Sequence, residues 1–169
     1  VQVNRNYRTV SQNRNNQADT KSALAKHYEW LESFNESIQN GTEFTGSLDH
    51  NTCLLGKWMF GVSDEDLSDR VINDTLQSIK SPHEKMHQQA SEILLLAKED
   101  KAAAYKRFLE EIKPLTRQVI TGLDTISNQY QTTANKASEK LDKLIFLMII
   151  LNVVSAAVGI IIAVFYGTC

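Results

Sequence analysis

The side chains with the most chemistry crowd into one stretch. All four histidines of the chain, His27, His50, His83 and His87, lie between positions 27 and 87, together with Cys53. His83 and His87 are four residues apart, so on a helix their imidazoles stack on one face, close enough to share an ion. Both fall on an apolar stripe, and His27 falls on another. A single inward imidazole is ordinarily a hydrogen-bonded core residue, but three of them and a thiol would each need a separate buried partner. One Zn²⁺ satisfies all of them at once, because imidazole and thiolate are its preferred ligands and four donors close a tetrahedral shell. His50, three residues before Cys53, competes for a ligand position if that segment is helical.

His83-Glu84-Lys85-Met86-His87 also fits H-E-x-x-H, the pattern of zinc proteases in which the Glu serves as general base. A protease needs a third protein ligand downstream and an open position for water. No histidine follows His87, and Glu92, Glu99, Glu110 and Glu111 carry no supporting motif. A thiolate would close the shell and lower the Lewis acidity of the ion. Glu84 has a plainer role available, as the partner of Ser81 in a capping box. The expectation is that the chain is not an enzyme.

The elements that must position these donors read as helices. The 169 residues include only two Pro and seven Gly, and a net charge of −2 offers no basic footprint for nucleic acid. Residues 1–18 are polar and rich in Asn, Gln and Arg, a linking segment. From about Asp19, Leu24, His27, Leu31, Phe34 and Ile38 recur at helical spacing until Asn40-Gly41. A loop runs to Asp49, and a short helix is expected over 51–60. Asp64 caps the next, burying Leu67, Val71, Leu76 and Ile79. Ser81-Pro82 should interrupt it and start another, with His83, His87, Ala90, Leu94 and Ala97 inward. After a turn near Asp100, Phe108, Ile112, Leu115, Val119, Gly122, Ile126 and Thr133 trace a rough heptad seam, kinked at Pro114. The expected fold is all-α, an antiparallel bundle of about four helices over residues 19–143.

From Leu144 to Tyr166 the sequence is apolar and uncharged, with Asn152 and Ser155 its notable polar members. As a helix this run spans roughly 34 Å, enough for a hydrocarbon core of about 30 Å. Residues 144–166 are therefore expected to cross a membrane, and the seam enters the run without Gly or Pro to break it. Such a helix is suited to carrying small shifts across. The chain opens on Val1 and closes on Cys169 directly after the apolar run, which has the look of a fragment. Cys53 and Cys169 make no disulfide framework. A bundle followed by a span is the receptor layout, which places the sensor outside the cytoplasm at the inner membrane. Lys136, Lys140 and Lys143 before the span pull the other way, since positive residues favour the cytoplasmic side.

Three segments carry a resemblance. His27-Tyr28-Glu29-Trp30, then Leu48-Asp49-His50-Asn51-Thr52-Cys53-Leu54-Leu55-Gly56-Lys57-Trp58, then His83-Glu84-Lys85-Met86-His87 resemble, in order, the signatures of the chemoreceptor zinc-binding domain family. The resemblance covers roughly residues 22–97. It implies zinc held by His27, Cys53, His83 and His87, with His50 outside the shell. It also implies a homodimeric bundle attached to a downstream signalling module such as a chemotaxis receptor or diguanylate cyclase, responding to zinc or to oxidants through the cysteine. Gly56 is read as permitting close backbone approach, and Trp30 and Trp58 as walling off the site. The competing expectation is a binding module in which zinc is only a structural staple.

Overall fold

The computed structural model describes residues 2–166; Cys169 lies outside them. Among the described residues the regular structure is entirely helical: α1 Gln2–Asn40, α2 Leu54–Gly61, α3 Asp64–Ser68, α4 Arg70–Leu96, α5 Lys101–Arg107, a π-helical turn Phe108–Ile112, and α6 Lys113–Tyr166.

Local chemistry places most boundaries. Gly41, at φ +68°, ends α1 in the left-handed conformation that glycine adopts without a Cβ penalty, and its N–H reaches the Ser37 carbonyl at 3.0 Å. Ser63 and Asp66 form a capping box on α3, Asp69 caps α4 through the Val71 and Ile72 amides, and Asp100 caps α5 through Ala103.

Four boundaries differ from the sequence expectation. The first helix starts at Gln2 rather than near Asp19, because extending a formed helix through Asn, Gln and Arg costs far less than nucleating one. The 51–60 helix begins only at Leu54, with Cys53 as its cap. The helix expected from an Asp64 cap is instead capped by Ser63 and ends at Ser68. Asp69 then caps α4, on which Val71 is exposed rather than buried, because the break shifts the inward face to Ile72, Leu76 and Ile79. Ser81-Pro82 does not divide α4, which runs through both. Ser81 is therefore no cap, and the capping box with Glu84 does not form. Pro82 withholds one ladder bond, yet Ile79, His83 and Met86 are buried on the turns around it. That packing outweighs a helix-interior proline's cost of about 3 kcal/mol. Just before Pro114, the ladder widens into the π turn, where the Lys113 N–H bonds the Phe108 carbonyl five residues back.

The chain forms two compact units. One comprises residues 15–130 and contains two apolar clusters. The first joins Ala23 of α1, Leu55 of α2, Ile72, Leu76 and Ile79 of α4, and Val119, Leu123, Ile126 and Tyr130 of α6. The second joins Trp30, Phe34 and Ile38 of α1 to Met86, Ala90 and Ile93 of α4 and to Ala104, Phe108 and Ile112. The buried stripe of α1 is thus centred on Ala23 and Trp30 rather than on Leu24 and Leu31, which are only half-buried. His27 lies on α1 between Ala23 and Trp30, and His83 and His87 lie on α4 between Ile79 and Ala90, where the two clusters meet.

The other unit comprises, among the described residues, 2–14 and 131–166. Within it α6 carries Ala134 and Ala137 buried, and beyond Ile145 its apolar side chains are exposed. The helical stretch ending at Tyr166 is long and apolar enough to cross a membrane, by length and composition. The Asn152 amide donates to the Met148 carbonyl at 2.9 Å, so this polar member of the run is satisfied within its own helix.

Candidate metal centre

Four donor atoms converge. One each from His27, Cys53, His83 and His87 lie within 4.8 Å of one another, although the residues come from α1, the cap of α2 and two turns of α4. Donors 2.0–2.3 Å from one tetrahedral zinc would be about 3.3–3.6 Å apart, and Cys53 Sγ and His83 Nε2 are 3.2 Å apart. The remaining separations are no greater than 4.8 Å.

Hydrogen bonds behind the rings decide which nitrogen each one presents. His27 Nδ1 lies 2.7 Å from the Ala23 carbonyl, and His87 Nδ1 lies 3.0 Å from the Ser47 carbonyl. Each carbonyl requires a proton on Nδ1, which leaves Nε2 with its lone pair available. Both Nε2 atoms are fully buried and have no hydrogen-bond partner among the described residues. A buried polar atom without a partner is costly, and two aimed at the same point are what a metal site requires. The donor set therefore fits zinc.

Cys53 is held as a cap. Its sulfur accepts the Gly56 N–H at 3.3 Å and lies 3.3 Å from the His50 carbonyl. Gly56 is required for this turn. A Cβ there would overlap the His50 carbonyl oxygen and come within 2.9 Å of Asn51 Cα. The preceding loop is anchored by Ser47, whose carbonyl accepts from both His87 Nδ1 and the Trp30 indole, the latter at 2.8 Å. Trp30 packs against His87 at 5.4 Å between ring centroids and walls the site as expected. Trp58 does not: its ring packs against Tyr130 in the first cluster.

His50 stays outside the group of four. Because the helix starts only at Leu54, the expectation that His50 and Cys53 share a helical face fails. His50 precedes the cap, with its side chain about one-third exposed.

Burial dominates the electrostatics. It pushes the imidazole of His27 below its ordinary value, with the Ala23 carbonyl partly opposing. It takes His83 down to about 3, helped by His87, His27 and His50, and His87 down to about 4, helped by His27. The imidazoles are thus neutral near pH 7, the state that binds a metal. Burial pushes the Cys53 thiol up, while the Gly56 and Leu55 amides pull it down.

A pH dependence follows for the metal-free protein. The folded values of His83 and His87 lie below the 6.5 of an exposed histidine, so the unfolded chain binds more protons between about 6.5 and about 3. Stability is full above that window and falls through it, by about 1.4 kcal/mol per pH unit for each excess proton. Denaturant titrations from neutral pH down to about pH 4.5 should show the decline; a constant unfolding free energy would contradict the burial of these rings.

Fold and site together define an all-helical domain carrying a candidate four-donor metal centre. Residues 27–94 match the family model of the chemoreceptor zinc-binding domain. The matched segment begins at the first of the four donors and contains the other three. No curated protein and no solved structure matches the chain. The Ser47 and Ala23 carbonyls had no signal in the sequence, since any residue type offers a backbone oxygen.

Proposed function

We propose that this chain is the zinc-binding sensory part of a membrane signalling receptor, with Zn²⁺ held by His27, Cys53, His83 and His87. The observation that carries the reading is the convergence of those four donor atoms within 4.8 Å, two of them buried imidazole nitrogens without a partner. When bound, zinc keeps Cys53 as a thiolate, the form that oxidants attack. Cys53 then ties the start of α2 to α1 and α4, and its oxidation or the loss of the ion releases that tie. The change in packing is relayed by α6, which is continuous from Val119 and Ile126 of the first apolar cluster into the apolar run. The chain acts as a homodimer anchored in the inner membrane, with the sensor extracytoplasmic and a signalling module elsewhere in the same polypeptide.

Sensing is favoured over a sealed structural ion because Cys53 is only half-buried and a cleft of about 330 Å³ reaches it together with His27 and His87. The chain is not a hydrolase: a Cys53 thiolate takes the coordination position that a catalytic water would need.

Spin labels at the exposed positions Phe60 of α2 and Ser78 of α4 test the reading. The distance between them should change when zinc is stripped by a chelator or when hypochlorous acid is added. Identical distance distributions would leave only a static staple. The membrane assignment has its own check. Val154→Arg, near the middle of the apolar run, should disfavour insertion by about 2.5–3.5 kcal/mol and move protein into the carbonate-soluble fraction. A variant as firmly membrane-bound as the parent would refute the span.

A further inference from the structure

Two clefts, each of about 330 Å³, reach the four donors. The first is lined by His27, Cys53 and His87, with Lys26 and Glu29 beside them. The Glu29 carboxylate is paired with Lys26 at 2.5 Å, so these two side chains add no net charge to the wall. The second is lined by His83 together with His50, Glu84, Met59 and Lys80. Imidazole, carboxylate and thioether are all metal donors, and none of these three belongs to the group of four.

The ring geometry singles out His50. Its centroid lies 6.2 Å from that of His83, edge-on at 85°. Within the group of four, the imidazole pairs lie at 4.8, 5.3 and 6.3 Å. His50 is therefore as near to His83 as His27 is to His87, a pair that shares the site. His50 differs in being partly exposed and loosely held: Asp49 Oδ1 is 4.0 Å from its Nδ1, beyond hydrogen-bond range. A ring in that position can turn toward His83 or toward solvent.

We propose that His50 is an auxiliary ligand for metal exchange, holding Zn²⁺ jointly with His83 in the second cleft while the ion arrives at or leaves the four-donor site. The inference rests on the zinc reading above. A closed four-donor shell exchanges its ion slowly unless another donor can take over one position at a time, and zinc tolerates a fifth ligand in passing. His50 would bind through an imidazole lone pair, and ligand exchange at Zn²⁺ involves no change of oxidation state. The one proton released on loading is that of the Cys53 thiol.

The test uses the full chain in detergent micelles and measures zinc transfer to and from a chromophoric chelator by stopped flow. His50→Ala and His50→Gln should bind one zinc per chain with affinity within about threefold of the parent. Both should load and release it about tenfold more slowly, as when a single donor no longer stabilises the transition state for exchange. Thr45→Ala, an uncharged change in the other cleft, should leave the rates unchanged. Rates in both His50 variants equal to or faster than the parent's would overturn the proposal, as would slowing by Thr45→Ala instead. Outright loss of zinc from His50→Ala would overturn it too, by making His50 a resident ligand. If the unaltered chain held no stoichiometric zinc, the reading of the site would fail and this proposal with it.

Discussion

Replacing Cys53 and His87 together by alanine is expected to abolish stoichiometric zinc binding. Apparent binding free energies for structural zinc sites are about 10–16 kcal/mol near neutral pH, and removing half of the donors should weaken binding by at least about 10⁴-fold. The two deletions act on different elements, since Cys53 caps α2 and His87 lies on α4. A single local distortion would not explain a joint loss. Competition against a chromophoric chelator, with metal content by atomic emission, measures the effect. Zinc that binds only the folded chain should also stabilise the parent by about 4 kcal/mol at a thousand times its dissociation constant. The variant should show no such stabilisation. Metal retained undiminished by the double variant would move the centre elsewhere.

Gly56→Ala is expected to be the most damaging change outside the donors themselves. The added Cβ would overlap the His50 carbonyl oxygen and crowd Asn51 Cα, and both are backbone atoms that cannot swing aside. Relief requires moving the turn from His50 to Cys53, which carries the sulfur out of position. A loss of about 2–4 kcal/mol in stability is expected from such strain. Zinc affinity should fall about 10–100-fold, as when groups that orient a ligand are removed. Gly61→Ala is the control, because a Cβ there meets nothing within 4 Å. Equal melting temperatures and zinc affinities for Gly56→Ala and the parent would show that the turn has room.

The candidate donors and the apolar run were legible in the sequence because each is written in side-chain type and spacing. Two imidazoles four residues apart share a helix face wherever that helix goes, and an uncharged run from Leu144 to Tyr166 remains apolar in any fold. Other features depended on partners distant in the chain. The continuity of α4 through Pro82 reflects packing of Ile79, His83 and Met86, which overrides a local breaker. The Ser47 carbonyl that orients both His87 and Trp30 is a backbone group, invisible in residue identity.

Residue types and their spacing alone establish that this protein is helical, that its imidazoles and one thiol are suited to hold a metal, and that its C-terminal helix suits a bilayer. Spacing left His50 in contention, and only the family resemblance placed it outside. Which nitrogen each ring presents, and which carbonyls orient the rings, emerge only once the helices pack. Those outcomes depend on where backbone carbonyls and helix caps fall when segments 17 to 40 residues apart are brought together, and local spacing carries no information about that.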